Sequence, residues 1–279
     1  MPLVTLDQLK FTPLSTGCDK INQFLGGGLK LVNFQILKGL TEITGEAGTG
    51  KTQFCLQCAI SAILNNNSDE KVIYLHSEGK FPVFRLKNLI EAILKSDTTN
   101  ISSLDKMADE TEKILSRIEI IAFSDSNKLL QSVNTTIPFL AQTKKIVLVV
   151  IDSVTAIFSN IAKKSERSFM LLRMSEKLKT LSFERKVPFL VTNQVVDIFP
   201  GDLQFQESLQ GSFLTSNRRV KPSMGLTWSH CVDRRIFFKK KSDIKVVLYR
   251  EMEIGFASDT KLSKIEFCVY QNGVKAIKF

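Results

Sequence analysis

The chain has 279 residues, enough for one large α/β domain or two small ones. Hydrophobic residues make up 43%, which supports a sizeable core and sets wholesale disorder aside, and no apolar run reaches membrane-spanning length. A net charge of +10, from 38 basic and 28 acidic residues, points to an anionic partner, nucleic acid ahead of a membrane surface, or else to an inert basic surface. Five scattered cysteines (18, 55, 58, 231 and 268) and no signal peptide suggest a reducing compartment.

Residues 1–14 read as a short lead-in, and 15–279 as a single domain. Ser15 to Lys20 opens a short helix ending at Phe24-Leu25, which Gly26-Gly27-Gly28 breaks. Thr41-Glu42-Ile43-Thr44 alternates like the end of a strand, and Gln53 to Leu64 is an apolar helix. Between them lies Gly45-Glu46-Ala47-Gly48-Thr49-Gly50-Lys51-Thr52, which fits the phosphate-binding loop pattern in its required strand–loop–helix context. Its glycines let successive backbone N–H groups turn inward onto an anion. Lys51 is then expected to reach the β- and γ-phosphates of a nucleoside triphosphate, and the Thr52 hydroxyl to take one position on Mg²⁺. The following helix adds its positive dipole end. Cys55 and Cys58 form a C-x-x-C inside that helix, without a second pair at zinc spacing, and are expected to pack as core residues.

Downstream, strand and helix patterns alternate. Val72 to Leu75 is a buried strand, Pro82 opens a helix to about Lys95, and a helix at Met107–Ser116 leads into the strand Ile118–Phe123. Another helix runs to about Gln142. Ile146 to Ile151 is the most apolar run, hence a central strand covered on both faces. A basic loop and a helix carrying Leu171, Met174, Leu178 and Leu181 follow, then the strand Val187–Thr192. The final third carries strand patterns at Cys231–Lys239, Ile244–Arg250 and Ile265–Tyr270, with Asn272-Gly273 turning the chain into Val274–Phe279. His76 and His230 lie isolated in strand-like segments, with no metal assigned. The fold class is α/β, a phosphate-loop NTPase: a mostly parallel central sheet flanked by helices, with an antiparallel C-terminal extension.

Asp152 ends the central strand, where a magnesium-ordering carboxylate belongs. Glu78 follows the Val72–Leu75 strand, placed to polarise a water attacking the γ-phosphate, although acidic residues before Gly are common in turns. Asn193-Gln194 ends the Val187–Thr192 strand, where an amide can hydrogen-bond the γ-phosphate or serve ordinary turn chemistry.

Taken together, Gly45–Thr52, Tyr74–Gly79 with Phe81 and Arg85-Leu86, Val147–Ser153 and Val191–Val195 resemble the RecA-type strand-exchange recombinases. Leu14–Cys18, Gly39–Ile43 and Arg219–Trp228 narrow the resemblance to the eukaryotic recombinase paralogues, especially the X-ray-repair cross-complementing type. It spans roughly residues 11 to 279 in order. It implies that Glu78 is the water-activating carboxylate, that Gln194 senses the γ-phosphate, and that Arg85 packs against the adenine. It further implies that two loops face DNA: Phe158 to Ser168 with Lys163, Lys164 and Arg167, and Val196 to Met224 with Arg218, Arg219 and Lys221.

Basic residues on such loops suit phosphate neutralisation, and Phe199, Phe205 and Phe213 either stack against bases or cover the core. Lys239-Lys240-Lys241, with Arg234 and Arg235, is a phosphate contact, a nuclear import signal or a solvated strand end. The family's N-terminal helical domain and its aromatic docking hook are not evident, and Asn33–Ile36 lengthens the segment before the first strand. The expected function is therefore that of an ATP-binding, DNA-dependent ATPase of homologous recombination and double-strand-break repair, in the nucleus. It would act as a mediator with a paralogue partner and the main strand-exchange recombinase, on single-stranded or branched DNA. The alternatives are an autonomous strand-exchange recombinase and a nucleotide-bound scaffold with little hydrolysis.

Overall fold

A computed structural model describes residues 13–29, 39–77, 79–97, 104–199, 211–241, 249–257 and 260–278. Its centre is a 9-stranded sheet in the order β12-β11-β10-β9-β1-β5-β4-β2-β3. The parallel part holds β1 (Leu40–Gly45), β2 (Glu70–His76), β3 (Ile118–Ala122), β4 (Lys145–Asp152), β5 (Phe189–Asn193) and β9 (Arg234–Lys240). Antiparallel pairing then adds β10 (Arg250–Ala257), β11 (Lys264–Tyr270) and β12 (Gly273–Lys278) beyond β9. The expected doubly covered sheet and antiparallel extension are both present.

The continuous apolar run of β4 follows from its position, because alternate side chains enter different cores. Leu148 and Val150 join one cluster with Val72, Tyr74 and α2 (Lys51–Leu64), while Val149 and Ile151 join the other with Ile73, Leu75 and α8 (Lys164–Arg185). Leu171, Met174, Leu178 and Leu181 are the buried stripe of α8, as their helical spacing requires. Each such fully buried Leu or Ile contributes about 1.5–3 kcal/mol. Cys55 and Cys58 are wholly buried in α2 and behave as core residues.

Five of the lesser helices stand where the sequence predicts helices, and Thr155–Ser159 and Gly225–Cys231 are additional. The lesser helices are α1 (Asp19–Phe24), α3 (Val83–Asp97), α4 (Leu104–Leu115), α5 (Ser126–Gln131), α6 (Ile137–Thr143), α7 (Thr155–Ser159) and α9 (Gly225–Cys231). A π-helical turn at Ser132–Thr136 joins α5 to α6 into the one helix the sequence suggests.

Four local readings change. Trp228 to Cys231 end a helix and not a strand, so His230 is helical and the strand starts at Arg234. The strand expected at Ile244–Arg250 falls mostly on residues 242–248, outside the described residues, and the strand observed is Arg250–Ala257. The loop expected at 158–168 is shorter, because α7 and the first turn of α8 occupy much of it. The long second loop contains a small antiparallel sheet of β6 (Val195–Asp197), β7 (Phe213–Thr215) and β8 (Arg218–Pro222), in the order β6-β8-β7. These three-to-five-residue runs are too short for periodicity to reveal. Phe205 and Asn33–Ile36 lie outside the described residues.

Candidate nucleotide-binding site

The loop after β1 sits where the sheet order folds back, since β1 lies between β5 and β9 and the chain leaves it for β2. Such a switch point opens a crevice at the carboxyl ends of the strands. Gly45 is dictated by packing: a Cβ there would fall 2.2 Å from the Phe238 carbonyl oxygen. Gly50 caps α2 at φ 99°, a backbone conformation that side chains rarely tolerate. A cavity of about 320 Å³ lies above them, lined by Ala47, Gly48, Gly50, Lys51, Thr52, Gln53, Asp152, Ser153, Gln194, Arg250 and Val269.

Lys51 Nζ donates to the carbonyls of Gly45 at 2.7 Å and Glu46 at 2.9 Å, so the cation is held against the loop that a phosphate would enter. Thr49 closes the loop through its hydroxyl, which donates to the Glu46 carbonyl at 2.8 Å. The Thr52 hydroxyl donates to Asp152 Oδ2 at 2.8 Å, across the gap between α2 and the end of β4. Tyr74 Oη donates to the same oxygen at 2.9 Å, and Thr192 Oγ1 donates to Asp152 Oδ1 at 2.5 Å. Burial first, and then the Asp152 charge, push the Tyr74 phenol well above its ordinary value, so it stays a donor. Tyr74 and Thr192 were not singled out as site residues from the sequence, since a buried strand Tyr or Thr has no motif of its own.

These groups fit a magnesium nucleotide. The glycine cradle, a retractable lysine and a helix N-terminus suit the phosphates, and Thr52 with Asp152 offers two oxygen ligands on one side. No cluster of three or more His, Cys, Asp or Glu side chains suited to a metal occurs among the described residues.

Gln194 borders the cavity at the end of β5. Its backbone N–H donates to Thr155 Oγ1 at 2.7 Å, and its carbonyl accepts from Ser223 N at 3.0 Å. Below it a buried polar hub ties the floor together. Glu42 is fully buried in β1, and its Oε1 accepts from Asn193 Nδ2 at 2.7 Å and from Trp228 Nε1 at 2.8 Å. Arg235 Nε pairs with Glu42 Oε2. Glu78 lies outside the described residues; its neighbour Ser77 accepts from Ser153 N at 3.0 Å, which joins the end of β2 to that of β4.

Arg85 is fixed beside the cavity and not inside it. Its Nε donates to Gln53 Oε1 at 2.6 Å, and its two terminal nitrogens donate at 2.9 Å to the carbonyls of Tyr270 and Gln271. It thereby secures the β11–β12 turn to α3. Arg250 is the cation that sequence reasoning missed. It opens β10 and lines the cavity, with Nε donating to the Gly48 carbonyl at 3.3 Å. Nothing in the local pattern marks it, because antiparallel pairing with β9 is what brings it over the loop.

The six basic residues expected at DNA separate into two groups. Lys163, Lys164 and Arg167 cluster at the start of α8, with both lysines exposed. Arg218, Arg219 and Lys221 lie on β8. Arg219 is exposed and reaches Ser212 Oγ at 3.1 Å, while Arg218 pairs with Asp197 and Glu46. Phe199 is 63% exposed. Phe213 is buried and stacks on Phe237 with ring centroids 4.2 Å apart, so it covers the core. Lys239 pairs with Glu253 and Lys241 with Glu266, and both arginines at 234 and 235 are buried.

The model of the Rad51 family matches residues 8–276. The chain is 29% identical to the DNA repair protein XRCC3 homolog of Arabidopsis thaliana, over 95% of this chain and 93% of that one. It is likewise 29% identical to the DNA repair protein XRCC3 of Mus musculus, covering 95% of this chain and 75% of that one. Similarity to the DNA repair protein RAD51 homolog 2 of Homo sapiens is 28% identity, over 82% of this chain and 61% of that one.

Proposed function

The chain belongs to the Rad51 family, and from that premise we propose that it is an ATP-binding, DNA-dependent ATPase of homologous recombination and double-strand-break repair. It works as a recombinase paralogue, beside another paralogue and the main strand-exchange recombinase, on single-stranded or branched DNA in the nucleus. The similar chains named as DNA repair proteins support the repair role. The observation that carries the nucleotide reading is the meeting of Thr52 and Asp152 at 2.8 Å beside the glycine loop.

Bound together with ATP, Mg²⁺ would supply neutralisation of the phosphate charge. Lys51, whose Nζ donates to the Gly45 and Glu46 carbonyls, would hold the phosphates. Thr52 and Asp152 would hold the cation, and Tyr74 with Thr192 keeps the Asp152 carboxylate aimed. Gln194 lines the cavity and leads into β6, which supports its role as the sensor of the γ-phosphate. By the family resemblance, Glu78 would position the attacking water. The exposed Lys163 and Lys164 at the start of α8 and the exposed Arg219 on β8 neutralise DNA phosphates without reading bases.

The test is ATP binding, ATP hydrolysis and single-stranded DNA binding measured in one sample over a salt series, for wild type and Lys51→Ala. The expected result is DNA affinity that needs ATP, falls steeply with salt and is lost in Lys51→Ala. A wild-type chain that binds ATP but neither binds DNA nor is stimulated by it, alone or with a paralogue, overturns the DNA-dependent reading.

A further inference from the structure

We propose that Glu46 and Arg218 form a pin through which the nucleotide loop sets the pose of the β6-β8-β7 sheet, making Arg218 a positioning residue and not a DNA phosphate contact. The proposal rests on the reading of the loop as a nucleotide site and names how that site is coupled to the rest of the chain.

Glu46 is the second residue of the loop, and its side chain is only 8% exposed. Its Oε2 receives Arg218 Nη2 at 3.2 Å and the Ser216 hydroxyl at 3.2 Å, with Lys240 Nζ at 3.9 Å. The other oxygen, Oε1, is buried without a hydrogen-bond partner among the described residues. On its far side Arg218 clamps Asp197, its Nη1 lying 2.9 Å from each carboxylate oxygen. One guanidinium thus spans the loop, the β8 strand that carries it, and the β6 strand that carries Asp197. A planar fork holding two carboxylates has little freedom to swing toward a third anion.

The tip of the hairpin is shaped for this contact. Ser216 and Asn217 both take left-handed backbone angles, φ 47° and 58°, as a tight two-residue turn between β7 and β8 requires. That turn lays the Ser216 hydroxyl against Glu46, and Lys240 N donates to Thr215 Oγ1 at 3.0 Å to hold the hairpin on β9.

The other end of the pin is nucleotide-sensitive. Lys51 Nζ rests on the Glu46 carbonyl, so phosphate that draws the lysine away removes a hydrogen bond from the same residue whose side chain grips Arg218. The orphaned Oε1 leaves the carboxylate under-satisfied in its present pose, and a buried acceptor without a donor is costly. Changing the backbone at Glu46 therefore shifts the balance at Arg218, and with it two strands of the small sheet.

The experiment compares wild type, Arg218→Gln, Glu46→Gln and the double variant. Affinity for single-stranded DNA is read across a salt series with and without saturating ATP and Mg²⁺, with ATP affinity measured separately to set saturation. Hydrogen exchange of residues 213–222 is followed with and without ATP. The expected result is that each single variant reduces the ATP-induced change in DNA affinity severalfold, that the double does no more, and that the salt slope stays as in wild type. ATP should also change exchange in the hairpin of wild type but not of Glu46→Gln.

If Arg218→Gln lowers the salt slope by about one and weakens DNA binding equally with and without ATP, while Glu46→Gln does nothing, Arg218 is a phosphate contact and the pin is overturned. If wild type binds ATP but no DNA, the DNA reading fails by itself and the exchange data alone decide: ATP-insensitive exchange in the wild-type hairpin sinks the pin.

Discussion

The Thr52 hydroxyl donates to the Asp152 carboxylate across 2.8 Å, joining the first turn of α2 to the end of β4. The two residues are a hundred positions apart, and the parallel pairing of β1, β5 and β4 brings them together. Replacing Asp152 by Asn preserves shape but removes the charge that, in the proposed function, orders Mg²⁺. The expected outcome is an ATP affinity that no longer rises with Mg²⁺, a loss of at least about tenfold at millimolar Mg²⁺, or ~1.4 kcal/mol. Titration with a fluorescent ATP analogue, with Mg²⁺ and with EDTA, measures it, and an unchanged Mg²⁺ dependence refutes the assignment.

Arg250 approaches the loop from β10 and touches the Gly48 carbonyl through Nε at 3.3 Å. Arg250→Ala is expected to weaken ATP binding by roughly fivefold to twentyfold, in the range of one charge-assisted hydrogen bond. Thermal stability should change little, because β10 keeps its pairing with β9 and β11. Equal ATP affinities for wild type and variant would remove Arg250 from the site.

Glu42 collects Asn193, Trp228 and Arg235 in the floor below the loop. Glu42→Ala leaves the buried Arg235 guanidinium without its charge partner and is expected to cost about 3–5 kcal/mol in chemical denaturation. Since Trp228 is the chain's single tryptophan, its emission should shift in the folded variant as the indole N–H loses its acceptor. A denaturation midpoint like that of wild type would show that the hub does not hold the floor.

The cysteines offer a test of packing. Cys18 is half-buried, whereas Cys55, Cys58, Cys231 and Cys268 are buried. Burial, then the nearby Asp152 charge, push the Cys55 thiol well above its ordinary value, and burial alone raises Cys58. Maleimide at neutral pH should label Cys18 first in the folded chain and the others only on unfolding, because the thiolate is the reactive form. Rapid native labelling at Cys55 or Cys58, read by mass spectrometry, would contradict the packing of α2.

Much of this molecule was legible from the order of its residues alone. A phosphate loop carries its chemistry in consecutive positions, so Gly45 to Thr52 names itself, and the apolar run before Asp152 marks both a central strand and the carboxylate at its end. The helical spacing of Leu171, Met174, Leu178 and Leu181 likewise announces a buried face, since a period of 3.6 is a local property. What tertiary structure alone decided are the contacts made by residues without a local pattern. Tyr74 and Thr192 aim Asp152 because neighbouring strands are in register. Arg250 reaches the loop because β10 turns back on β9, and Arg218 lies against Glu46 because a short hairpin folds onto it. The division has one cause: periodicity and motif record what each residue does beside its neighbours, whereas burial, ion pairing and cavity lining depend on which distant strand arrives next to it.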